Sequence, residues 1–468
     1  MVFNSLHFLL FFIVTTIAFF LLSHKYRWMF LLAISCYFYM AFKPIYILIL
    51  AFTIVIDYFA GIYLEKTSDP STKKKLLIAS IIANVGCLAV FKYFNFINEN
   101  ITDLLGTLLI QNPIPMLDIL LPIGLSFHTF QAMSYTFEVY FGRQKAEKHF
   151  GIYALYVMYY PQLVAGPIER PQNILHQLTQ KVNFDYDRIT QALKLILWGM
   201  FVKVVIADRL SLYVDKVFDS PHMHSGISSL IATIFFTFQI YCDFSGYSLI
   251  AIGCAKVLGV DLMTNFRRPY VSISIREFWS RWHISLSTWF RDYLYIPLGG
   301  NRVGFYRNML NVFFVFMISG LWHGANWTFI VWGSLHGIYL IIEILTAKIN
   351  FKWPLPVFTK WIFNFALVAF TWIFFRAHHL AEAKQILINI FTWKKGGLYI
   401  GNAASFGYSF LLIAFLLIAD YNTEKWNNKF SLIYHANKTV RWIGYVTLIM
   451  ILLLIGVFNG GQFIYFQF

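Results

Sequence analysis

Residues 308–342 read NMLNVFFVFMISGLWHGANWTFIVWGSLHGIYLII and contain no Asp, Glu, Lys or Arg. About 20 consecutive apolar residues cross a bilayer, so this run belongs inside a membrane, and its length suits a broken or re-entrant span. Two histidines stand in it, His323 and His336. A histidine at membrane depth is costly and by default marks function. Gly320 and Gly324 flank His323 at i−3 and i+1, which lets another backbone or a ligand approach closely. Its neutral imidazole is suited to general-base work near pH 7. The competing role for such a residue is an interhelical hydrogen bond, and that is the expectation for His336 and for His128 in Gly124–His128.

The rest of the chain has the same character. Its 468 residues are 59% hydrophobic, 20% aromatic and 13% charged, against about 25% charged residues in an average soluble domain. Spans are expected near 6–23, 28–42, 44–63, 76–96, 118–141, 150–166, 188–206, 226–258, 309–342, 360–376, 404–420 and 440–458. The predicted fold is all-α: a polytopic membrane protein of about 11–13 transmembrane helices with interfacial and re-entrant helices, one domain over 1–468. Residues 6–23 lack the basic flank and cleavage site of a signal peptide and read as a retained first helix. The four cysteines, Cys36, Cys87, Cys242 and Cys254, lie singly in apolar segments and read as small hydrophobes.

A net charge of +15 suggests nucleic acid only in a soluble protein. Here basic residues in short loops mark the cytoplasmic side. His24–Arg27 after the first span and Lys66 with Lys73–Lys75 after the third predict an outside N-terminus. Lys425, Lys429 and Lys438 make the 421–439 loop cytoplasmic, and one more crossing puts Phe468 outside.

Between Arg267 and Arg307 seven arginines face only Glu277 and Asp292. At 100° per residue, Phe278, Trp279, Trp282, Leu286, Trp289, Phe290 and Tyr293 fall within an arc of about 120°, which predicts one amphipathic helix on or dipping into the membrane. His283 sits at the edge of that arc. Such a helix serves as an interfacial anchor, and its arginines also suit the phosphates of an anionic cofactor such as a coenzyme A thioester. No HExxH, His/Cys cluster or carboxylate-rich set supports a metal site. A GxSxG elbow and a GxxxxGK phosphate loop are both absent.

Arg276–Leu294 (REFWSRWHISLSTWFRDYL), Pro297–Arg302 (PLGGNR) and Ser319–Ala325 (SGLWHGA) together resemble the signature of bacterial membrane-bound O-acyltransferases. Leu121–Phe127, Pro161–Ile168 and Tyr241–Ser248 add to the likeness, in the family's order across 120–340, the expected catalytic core. The branch most similar acetylates alginate or peptidoglycan. An acidic residue often follows the Tyr241–Ser248 block in the alginate branch, and Leu249 stands there instead. The resemblance implies an intramembrane tunnel, with His323 essential and His283 near it. It also implies acetyl-CoA as acyl donor, with no permanently bound cofactor, and donor contacts at Arg276, Arg281, Trp282, Arg291 and Asn326. An extracytoplasmic SGNH-type acetyltransferase partner, a polysaccharide or peptidoglycan acceptor and a bacterial inner membrane follow from the same likeness.

The last residues, Phe463–Phe468 (FIYFQF), resemble the Phe-x-Tyr-x-x-Phe ending of the small partner subunit in D-alanylation systems. This implies Tyr465 as an acyl relay, against an aromatic anchor at the interface. A phenol of pKa near 10 is a better leaving group than an alcohol, so an acetyl-tyrosine retains transfer potential. Two other classes fit the composition: a transporter or flippase for a lipid-linked sugar, and a structural subunit of an export complex. The paired discontinuous helices of repeated halves that mark transporters are not evident.

Overall fold

The computed structural model describes residues 1–119, 121–164, 166–349, 354–428, 431–458 and 463–464, which form helices and, among themselves, no strand. They gather into two compact units, 1–193 with 251–263 and 194–250 with 264–468.

The first unit holds α1 (Leu6–Leu21), α2 (His24–Met40), α3 (Ile47–Lys66), α4 (Pro70–Leu88), α5 (Phe94–Thr107), α6 (Leu125–Tyr140), α7 (Phe150–Met158), α8 (Tyr160–Leu163) and α9 (Pro171–Leu178). Helices inside a membrane gain little from the hydrophobic effect and rely on close packing and polar contacts. Both are present. Asp57 of α3 is fully buried and accepts hydrogen bonds from Ser80 and Asn84 of α4 and Thr136 of α6, which ties three helices at one carboxylate. A side chain at Gly61 would meet the ring of Tyr135.

Next come α10 (Tyr186–Met200), a π-helical stretch at Phe201–Ala207, α11 (Asp208–Phe218) and α12 (Gly226–Val257). The second unit continues with α13 (Ile275–Arg281), α14 (Ile284–Phe290), α15 (Phe305–His323), α16 (Trp327–Lys348), α17 (Val357–Arg376), α18 (Leu380–Phe391), α19 (Ala403–Trp426) and α20 (Lys438–Ile455). Apolar all round, α12 is the most deeply buried of the long helices, whereas α20 leaves most of its surface outward. Cβ atoms built on Gly199 and on Gly246 would each lie 2.8 Å from the other's carbonyl oxygen, so only glycine permits this crossing.

Among the described residues, eight helical stretches are long and apolar enough to cross a membrane, and α1 is a shorter apolar helix. Of the expected spans, 118–141 and 150–166 fold as shorter pieces. Pro122 and Gly124, the latter at φ 74°, delay the start of α6, and the chain turns at Tyr159 just before Pro161.

The 309–342 run is a helical hairpin. Trp322-His323-Gly324-Ala325-Asn326-Trp327 makes the turn, with Gly324 extended and the Asn326 side chain capping α16 by accepting from Thr328 N at 3.0 Å. Here the two backbones nearly touch. A Cβ on Gly320 would lie 2.2 Å from the Phe329 carbonyl oxygen, and one on Gly333 would lie 2.2 Å from that of Phe316. The glycine noted beside His323 therefore admits a neighbouring backbone.

Candidate active site

The helix expected across 276–294 is broken where His283 stands. Ser274 caps α13 by accepting from Glu277 N, and the Glu277 carboxylate accepts in return from Ile273 N, so a reciprocal cap starts the first segment. It ends at Trp282 in extended conformation, and His283 follows in the left-handed region, at φ 42° and ψ 53°, before α14 begins. A residue with a β-carbon rarely sits there unless its surroundings impose it.

Those surroundings are the irregular segment around Asn265. Arg267 N donates to Arg281 O and Ile284 N to Asn265 O, both at 2.9 Å, which staples the break from both sides. The side-chain Oδ1 of Asn265 accepts from Ser285 N at 3.2 Å and from Ser285 Oγ at 2.9 Å, and lies 3.2 Å from His283 Nδ1. An oxygen that already takes a backbone N–H can only accept, so Nδ1 of His283 carries a proton. Nε2 then holds the imidazole's lone pair.

The arc of aromatic residues also faces differently from the expectation. Phe278, Trp279, Trp282, Leu286, Trp289, Phe290 and Tyr293 are all buried within the protein. The periodicity was that of a core-facing surface, because a membrane and a protein interior select the same apolar residues. Trp282, expected to touch the donor, stacks on Phe278 with centroids 5.5 Å apart and packs against Phe266 and Trp372, each at 5.0 Å.

His323 ends α15 and is buried. Trp322 and Trp332 meet its ring at 5.0 Å, both nearly perpendicular, and Phe375 of α17 at 5.5 Å. The structure brings His323 and His283 together with ring centroids 6.3 Å apart. Phe244 of α12 closes the His283 side, edge to face at 4.6 Å. Dry aromatic walls strengthen every electrostatic interaction inside them.

His336 has a different setting. Its Nδ1 accepts from Trp279 Nε1 at 3.2 Å and its Nε2 pairs with Thr371 Oγ1 at 3.0 Å, so both nitrogens bridge helices. His128 in the first unit bonds the carbonyl of Gly124, one turn back, at 3.1 Å.

The basic residues divide. Arg281 bonds Glu277 and Glu424, each at 2.9 Å, and Arg268 bonds Glu424 at 2.6 Å. Glu424, at the end of α19, is distant in sequence, so the local count of two acids understated the balance of charge. Arg291 pairs with Asp292 at 2.8 Å, and Arg276 is exposed. Asn326 spends its amide on His378 O as well as on its cap. Tyr465 lies outside the described residues. Asn265 and Phe244 are the residues that sequence reasoning missed. Asn265 belongs to a stretch without periodicity, and Phe244 was noted only as part of a motif.

Comparison with known proteins agrees with this architecture. The family model described as membrane-bound O-acyltransferase matches residues 143–380, a range containing both histidines. The chain is 35% identical over 437 residues to the probable alginate O-acetylase AlgI of Pseudomonas aeruginosa, covering 92% of this chain and 83% of that protein. It is 36% identical over 384 residues to the peptidoglycan O-acetyltransferase of Helicobacter pylori, covering 75% and 71%. A teichoic acid D-alanyltransferase of Streptococcus thermophilus is 31% identical over 234 residues, covering 47% and 56%. A matching family model, relatives similar over most of their length and a many-helix membrane architecture lead to one conclusion: the chain is an O-acyltransferase that belongs to the membrane-bound O-acyltransferase family.

Proposed function

We propose that this protein moves an acetyl group from acetyl-CoA on the cytoplasmic side of a bacterial inner membrane to an extracytoplasmic polysaccharide. The observation that carries the reading is the enclosed pair of imidazoles, His283 and His323, at 6.3 Å. The acetylating activities named for the AlgI protein and the Helicobacter enzyme support acetyl as the group and a glycan of the alginate or peptidoglycan kind as the acceptor.

His323 takes the proton of the acceptor hydroxyl as its oxygen forms a bond to the acetyl carbonyl carbon. The carbon–sulfur bond then breaks, and the imidazolium returns its proton to the CoA thiolate. His283, its Nδ1–H committed to Asn265, positions the reactants beside His323. Arg276 and its basic neighbours hold the donor's phosphates. Tyr465 is the first acceptor, and an SGNH-type partner outside the membrane passes the acetyl group to the glycan.

The test is transfer from radiolabelled acetyl-CoA by the purified protein in lipid nanodiscs. His323→Ala is expected to abolish it, and full transfer by that variant would refute the reading. Retained transfer in Tyr465→Phe would remove the relay and leave the acyltransferase.

A further inference from the structure

A second polar cluster lies in the same unit as the histidines. Lys203, in the π-helical stretch after α10, is buried with Nζ 2.6 Å from Asp208 Oδ1 and 2.5 Å from Asp243 Oδ1. Interruptions of this kind in a helix often mark working positions. A buried ammonium between two carboxylates costs desolvation and is not by itself evidence of stability.

The other oxygen of Asp243 shows a use for it. Asp243 Oδ2 accepts the backbone N–H of Ile464 at 2.7 Å. Beside that bond the Phe463 ring stacks on Tyr247, with centroids 4.4 Å apart and planes at 29°, and meets Phe244 at 5.6 Å. Phe463 is fully buried. Phe244 is the same ring that stands edge to face against His283. One aromatic residue therefore touches both an active-site histidine and the chain segment that follows α20.

We propose that Asp243, held by Lys203, is a docking site for the protein's own segment at Phe463–Ile464, and that it fixes this segment beside the wall shared with His283. The inference rests on the relay reading above for its purpose, because Tyr465 is the next residue in the chain, but not for its geometry. The carboxylate recognises a main-chain amide and the Phe244–Tyr247 pair recognises an aromatic ring. Lys203 holds the carboxylate in place through its other oxygen. Asp243 and Lys203 are thus positioning residues.

The test separates the dock from the fold and from the relay. Ile464→Pro removes the one N–H that Asp243 receives and leaves the Lys203 cluster intact. Asp243→Asn weakens the same bond from the other side, with Lys203 still paired to Asp208. Amide hydrogen exchange of the full protein in nanodiscs is followed by mass spectrometry. Both variants are expected to speed exchange of the amides adjoining position 464 by about tenfold or more, with exchange across 305–323 unchanged. Transfer of acetyl to glycan should fall through kcat with the KM for acetyl-CoA unaltered. Wild-type exchange at these adjoining amides in Ile464→Pro would overturn the dock, as would a rise that extends equally to 305–323. If the dock holds but Tyr465→Phe transfers normally, only the relay fails. If Tyr465→Phe is inactive while Ile464→Pro exchanges like the wild type, only the dock fails.

Discussion

Asn265 Oδ1 stands 3.2 Å from Nδ1 of His283 and also accepts both donors of Ser285, so a side chain from an irregular segment holds the imidazole that lies 6.3 Å from His323. Asn265→Ala should lower kcat by about 10- to 100-fold, the range found when a partner that orients a functional histidine is lost, with little change in KM. Steady-state kinetics with varied acetyl-CoA measures this. Equal activity would show that His283 needs no orienting partner.

Burial holds the His283 imidazole below its ordinary pKa, so the unfolded chain binds this proton more readily than the folded one. Its contribution to stability is then complete above the ordinary imidazole value of about 6.5 and declines as the pH falls below it. Asn265→Asp places a carboxylate on Nδ1–H and favours the imidazolium. The acidic limb of kcat/KM should move to higher pH in that variant, and an unmoved limb would count against a neutral His283 in catalysis.

The two histidines of the hairpin should separate in mutation. His323→Ala is expected to lose about 10²- to 10⁴-fold in kcat, the usual share of a general base, while its thermal midpoint changes little. His336→Ala leaves Trp279 and Thr371 without their bridge and should cost about 1–3 kcal/mol of stability, with transfer per folded molecule near normal. Thermal unfolding in detergent read beside activity distinguishes the two.

Gly320→Ala is the sharpest packing test. The new methyl would lie 2.2 Å from the Phe329 carbonyl oxygen, which is backbone and cannot swing aside. A loss of about 1–3 kcal/mol is expected from overpacking, together with reduced kcat, because His323 lies one turn away. Gly86→Ala is the control, since a Cβ there meets nothing within 4 Å.

Among the arginines, Arg276→Ala should raise the KM for acetyl-CoA several-fold, because that side chain is exposed. Arg281→Ala should act mainly on stability. Its ion pairs with Glu277 and Glu424 are partly solvated, with side-chain exposures of 20% and 31%, so the loss should be modest, about 1 kcal/mol.

The sequence made the membrane setting legible, and placed His323 within it, because both depend on local composition: a long charge-free run and a polar residue inside it. It misread the 276–294 segment for an instructive reason. Helical periodicity reports which side chains are apolar, and Trp282 and Leu286 keep their phase across a break that costs only one left-handed residue. Nothing in the period reveals that His283 has turned. What holds it is Asn265, in a segment with no regular structure, while Glu424, distant along the chain, pairs with Arg281 beside the break. Such partners are set by tertiary packing, and their positions follow no repeat.

The hairpin that carries His323 also has a consequence for how the enzyme is made. A chain is synthesised from residue 1 onward, so α12, Asn265 and His283 precede the hairpin into the bilayer. The glycine contacts between α15 and α16 let His323 and Trp332 arrive as one preassembled piece. Phe375, however, belongs to α17, and the segment at 463–464 emerges after every helix described here. The ring of Phe375 therefore reaches His323 late in biogenesis. A nascent chain halted before α17 would hold both histidines and still lack this aromatic neighbour.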